Sequence, residues 1–145
     1  MTRASVHTQL TSILATALVG TGKPCQEVVG YKKSKIDKAP LVCVLSAGSQ
    51  RGADATGSLQ VVYQFAVVVF VPDADTATSW TESDVEAKLD AIDAIIETTV
   101  KANRARNAYW ENLDFSGEPS QVEDITVSGA PYATEVHMLS VTELE

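Results

Sequence analysis

The sequence predicts an α+β domain: a mostly antiparallel β-sheet with two main helices packed on one face and a long projecting β-hairpin. Three observations carry this. First, Ser58 to Val71 is rich in β-branched and aromatic residues and has no internal Gly or Pro, the composition of one long strand. Its odd positions Leu59, Val61, Tyr63, Phe65, Val67, Val69 and Val71 form an unbroken apolar row. The even face changes character, from Gln60 and Gln64 to Ala66, Val68 and Phe70, which predicts water near the start and cover near the end. At about 3.3 Å per residue the strand spans roughly 45 Å, against a usual ~17–20 Å, so one arm is predicted to reach past the sheet body. Second, Val85, Leu89, Ile92, Ile96 and Val100, widened by Ile95, recur at helical spacing over Glu82–Ala102. Third, the order is helix, two or three strands, helix, two or three strands, so neighbouring strands are joined as hairpins.

Taken in order, Val6, Leu10, Ile13, Leu14 and Ala17 predict a first helix near 3–19, ended by Gly20 and Gly22 with Pro24 behind. Gln26–Lys32 reads as a short strand, followed by a Lys-rich link over Lys32–Lys38. Pro40 opens a strand at Leu41–Ala47, where a missing N–H costs least. Gly48–Gly57, with three glycines and small residues, is predicted to be a mobile tip between two paired strands. It lacks the spacing of a phosphate loop and no helix follows. After the link that begins at Pro72, Ser83 with Glu86, or Ser79 with Glu82, offers a capping box for the second helix. Acidic residues load its first turn, and Lys101, Arg104 and Arg106 its C-terminal end, both with the sign the helix dipole prefers. Tyr109–Phe115 is predicted as a strand, Gly117–Asp124 as a loop or polar strand, and Ile125–Val127 as a short extended piece. Ser128–Pro131 makes a turn into a last strand, Tyr132–Leu144. There Val136 and Met138 point one way and Leu139 and Val141 the other, the mark of a bulge or of cover on both faces.

At 145 residues the chain is one domain's worth, read as a single unit over 1–145. Its net charge of −8 disfavours a nucleic-acid-binding face, which needs clustered Lys and Arg to neutralise phosphates. The charges are uneven. Lys23, Lys32, Lys33, Lys35 and Lys38 crowd an early segment, and Asp73, Asp75, Glu82, Asp84, Glu86, Asp90, Asp93 and Glu97 a later one. Such asymmetry joins copies head to tail, or simply solvates two separate surfaces. Cys25 and Cys43 make neither a disulfide framework nor a metal motif, and Cys43 sits in an apolar run where a buried, inert thiol is expected. The stretch after Met1 is too polar for a secretory signal, and no run approaches the ~20 apolar residues of a membrane span. The expectation is a soluble, cytoplasmic protein.

Catalytic signatures are missing from the sequence. There is no G-x-S-x-G, H-E-x-x-H, dinucleotide fingerprint or EF-hand loop. His7 lies on the first helix near its polar side, and His137 alternates with Glu135 on one strand face. Glu135 and His137 are two potential ligands or an acid–base pair, but two ligands are too few, so a solvated strand face is expected there. Asp93 and Glu97, four apart, read as solvent-facing or intersubunit groups. Trp80 and Trp110 read as core or staple residues. The chain is not expected to be an enzyme, and no cofactor or metal is expected.

With its elements in order, the chain resembles the tail terminator (tail completion) proteins of long-tailed phages, the lambda-type family. The likeness rests on the short N-terminal helix and the strand pair with its extended loop, Pro40–Val71. It continues through the acidic helix Glu82–Ala102, the Trp-led strand Trp110-Glu-Asn-Leu-Asp-Phe115, and the turn Gly129-Ala-Pro-Tyr132 into Ala133–Leu144. It covers nearly the whole chain, but in layout and spacing; related tube and connector proteins share much of the scaffold. The resemblance implies a structural virion protein of the siphophage type at the neck end of the tail, assembled in the host cytoplasm. It implies a homo-oligomeric ring, typically hexameric, that caps the tail tube protein, ends polymerisation and offers a face to the head–tail connector. DNA would slide through its channel without specific binding, repelled by acidic groups. On this reading Ser49, Gln50, Arg51 and Asp54 at the hairpin tip meet tube or connector. Lys32, Lys33 and Lys35 meet Asp90 and Asp93 of the next subunit. The alternatives are a tube or connector subunit on the same scaffold, and a small α+β ligand-binding protein.

Overall fold

A computed structural model of the chain describes residues 2–53, 57, 59–73 and 80–143. Helix α1 (Arg3–Leu18) is followed by strands β1 (Glu27–Val29), β2 (Leu41–Ala53) and β3 (Leu59–Pro72). Helix α2 (Glu82–Ala102) then leads to β4 (Asn112–Phe115), β5 (Gln121–Val127) and β6 (Ala130–Thr142). The fold is α+β, as expected. The sheet runs β1-β2-β3-β6-β4, and β5 also pairs with β6, beyond β4 along the same edge. Among the described strands β1 and β2 pair in parallel and the other pairs are antiparallel; an isolated parallel bridge joins Val19 and Cys25.

Strand alternation divides the sheet into two differently covered faces. On one face Val42 and Val44 of β2 lie beside Val67 and Val69 of β3, while Phe65 faces Leu139 and Tyr63 faces Val141 of β6. These residues form one cluster with Val6, Leu10, Leu14 and Leu18 of α1 and Val85, Leu89, Ile92, Ile96 and Val100 of α2. Trp110 completes that cluster and its Nε1–H donates to the Asn103 carbonyl at 2.8 Å, closing the C-terminal end of α2. On the other face Leu41 and Cys43 pack with Val68 and Phe70 under Ile36, so the Lys-rich link lies across the sheet from the helices. Ser128 Oγ–H anchors that link by donating to the Ser34 carbonyl at 3.1 Å.

Several elements differ from their sequence expectation. β2 does not stop at Ala47 but continues to Ala53, paired with β3 throughout. Ala47 is an extra residue between the Ser46–Phe65 and Gly48–Gln64 pairs, and Gly48 takes φ +121°, a backbone state that glycine enters freely. The bulge lets small polar residues continue a ladder that their composition alone does not announce. β3 is a central strand between β2 and β6, with its odd residues from Val61 to Val71 in the core. The ladder beyond β6 is therefore short: Arg51–Ala53 against Leu59–Val61. The cap of α2 is Thr81, whose Oγ1 accepts from the Asp84 N–H at 3.2 Å while Asp84 Oδ2 accepts from the Thr81 N–H at 2.8 Å. Neither of the expected Ser–Glu boxes is used; Ser79 lies outside the described residues.

Toward the C-terminus, the polar stretch before Ile125 is strand, because β5 begins at Gln121 and borrows its order from β6. Ser128 and Gly129, at φ +50° and +82°, make the two-residue turn between them, and Ala130 already belongs to β6. β6 keeps an unshifted register against β3, so its mixed alternation reflects cover on both faces and not a bulge.

Candidate functional site

Three places in this fold bear on function. The first is the end of the β2–β3 ladder. After the bulge, Ser49 and Arg51 pair with Tyr63 and Val61 and share their face, whereas Gln50 points to the opposite side. Arg51 Nη1–H donates to Ser49 Oγ at 2.9 Å across the two-residue repeat. Gln50 and Arg51 are exposed and Ser49 is half-buried; Asp54 lies outside the described residues. On its outer side β2 pairs with β1 only over Leu41–Cys43, so among the described residues no strand covers it from Val44 onward. The first open group is closed by α1: the His7 Nε2–H donates to the Val44 carbonyl at 2.6 Å. The acceptor is an oxygen, so it is Nε2 that carries the proton. His7 is thus half-buried against Phe65 instead of lying on the polar side of its helix, with ring centroids 5.4 Å apart.

The second place is the pair of oppositely charged surfaces. Lys32 and Lys35 are exposed on the link, together with Tyr31. Lys33 differs, because its ammonium is held by Glu27 at 3.0 Å and this partner raises its pKa. The structure therefore gives Lys33 an internal partner, which the sequence does not reveal. Across the sheet, Asp90 is exposed on α2. An open groove of about 520 Å³ between α2 and β5 is lined by Asp73, Glu82, Glu86, Glu123 and Asp124.

The third place was invisible in the sequence as a unit. Glu135 and His137 do share a strand face, but it is the core face: His137 is 4% exposed and Glu135 9%. The expectation of a solvated strand face is corrected here, because α2 crosses above β6 and covers it. Asp93 of α2 supplies a third group, its Oδ1 lying 3.7 Å from His137 Nδ1. Glu135 Oε1 lies 3.3 Å from His137 Nε2, and Ser120 Oγ–H donates to the other carboxylate oxygen at 2.8 Å. That 3.3 Å approach lacks hydrogen-bond direction, and the buried Nε2 has no hydrogen-bond partner among the described residues. The imidazole thus has a carboxylate oxygen within 4 Å of each ring nitrogen.

No family model matches the chain, and no curated protein matches it. The site must be read from its own chemistry. The remaining candidates from sequence divide plainly. Cys25 and Cys43 are both buried free thiols. Asp93 sits at the third place, with a side chain still 52% exposed, and Asp90 stands apart from it on the solvent side of α2. No helix among the described residues is long and apolar enough to cross a membrane.

Proposed function

We propose that this chain is a structural subunit of a long-tailed phage tail, a terminator-type protein that closes into a ring, caps the tail tube and presents a face to the head–tail connector. The observation that carries the reading is the outer edge of β2, which no described strand pairs beyond Cys43. An unpaired edge is a template for another backbone, and a neighbouring subunit or tube protein is the partner that would complete it. The charge distribution supports the same reading. Exposed lysines lie on one side of the sheet and acidic groups on the other, so identical copies attract front to back and not face to face. A heterologous contact of that kind closes into a ring when its rotation divides a full circle. The net charge of −8 keeps the walls of such a ring from holding passing DNA.

The ring size is taken from the family resemblance, in which hexamers are typical, and so is the position at the neck end of the tail. The test is mass photometry of the purified full chain over a concentration series, followed by electron microscopy. Discrete rings of one size are expected. Filaments would instead identify a tube subunit built on the same scaffold. A monomer at every concentration, carrying a small molecule in native mass spectrometry, would replace the assembly reading with a ligand-binding one.

A further inference from the structure

We propose that Asp93, Glu135 and His137 form an intrachain site for a divalent transition metal of the zinc class. This rests on the buried cluster alone and is independent of the assembly reading. One nitrogen and two carboxylate oxygens form a donor set that zinc accepts, whereas magnesium and calcium prefer oxygen alone. The three donor atoms all lie within 4.8 Å of one another. Zinc bonds of about 2.0–2.2 Å place tetrahedral ligands roughly 3.3–3.6 Å apart. Glu135 Oε1 and His137 Nε2, at 3.3 Å, already have that separation. Asp93 Oδ1 lies nearest the other ring nitrogen, Nδ1, at 3.7 Å, so its half-exposed side chain has to swing towards the Nε2 side to join Glu135 on one ion.

Two further features set this cluster apart from ordinary surface acids. His137 Nε2 is wholly buried and lacks a hydrogen-bond partner among the described residues, the state of a nitrogen whose lone pair has another use. Ser120 fixes the far oxygen of Glu135 and so aims the near one at the ring, the orienting contact that metal carboxylates commonly receive. The two cations that share a groove with Asp93 are already committed: Lys101 to Glu97 at 2.7 Å and Arg104 to Asp114 at 2.6 Å. They line the groove into which Asp93 opens, and three protein ligands leave a fourth position that a water would fill.

The experiment is calorimetric titration of the full chain with Zn²⁺, paralleled by Co²⁺ absorption, on the natural chain and on Asp93→Asn and Ser120→Ala. One ion per chain is expected, with cobalt bands of low-coordinate geometry and no comparable uptake of Mg²⁺. Asp93→Asn, on a half-exposed side chain that the fold tolerates, should weaken binding by about tenfold or more, and Ser120→Ala by about tenfold. Circular dichroism confirms that each variant is folded. If Asp93→Asn binds Zn²⁺ as tightly as the natural chain, the ion sits on other acidic groups and the proposal fails. It also fails if the natural chain takes up no Zn²⁺, which would leave an imidazole simply wedged between two carboxylates.

Discussion

Cys25 illustrates how one buried side chain ties stability to pH. Burial pushes its thiol from 9.0 up to about 12, outweighing the Lys88 ammonium, which pulls the other way. Cys43, on the opposite face of the sheet, is raised by burial as well. A raised folded pKa means that the native state holds a proton the unfolded chain gives up first. The contribution is fully present below pH 9.0 and is lost as pH rises towards 12. Cys25→Ala should therefore lose stability less steeply across that interval than the natural chain. Denaturant melts at successive alkaline pH values check this, and equal slopes would contradict it. The same scale explains Gly30: a Cβ there would come 3.3 Å from Thr11 Oγ1 and 3.4 Å from His7 Nε2, crowding the ring that closes the β2 edge.

At the scale of elements, α2 is the piece whose sequence and structure agree most closely, bounds included. Its apolar stripe repeats with the helical period, and the buried apolar set Val85, Leu89, Ile92, Ile96 and Val100 is the one the period selects, with Thr99 buried beside it. Its cap, however, is two residues off from each of the two boxes the sequence offered, because Thr and Asp serve as well as Ser and Glu and the competition is decided by where the chain enters the helix. Thr81→Ala should cost about 1 kcal/mol, whereas Ser83→Ala should cost about 0.5 kcal/mol or less. Urea midpoints of the two variants separate the alternatives; a larger loss for Ser83→Ala would contradict the observed cap. β2 shows the opposite case. Its Gly48–Ala53 half has no strand composition and is ordered by pairing with β3 after the bulge at Ala47.

For the whole molecule, the proposed front-to-back association depends on exposed charge. Because Lys33 is held by Glu27 while Lys35 makes only a long, exposed pair with Asp37 at 3.8 Å, the residues to reverse are Lys32 and Lys35. The double variant Lys32→Glu, Lys35→Glu should remain folded and form fewer rings, with the deficit largest at low ionic strength and shrinking as salt screens the contact. Mass photometry at two salt concentrations reads both effects. A natural chain whose association does not respond to salt would remove the charged contact from the proposal.

Read alone, the residues determined the helices, the apolar row of β3, the sheet's antiparallel character and the negative charge, because each depends on local spacing or composition. Periodicity reports which residues share a side of an element, and β6 correctly put Glu135 and His137 together. It does not report what crosses above that side. Only tertiary packing laid α2 over β6, buried the pair, and brought Asp93 to it from more than forty positions earlier in the chain. The same long-range packing gave Lys33 a partner and left the β2 edge open among the described residues, since both depend on which strands lie next to each other and not on the residues of any one of them.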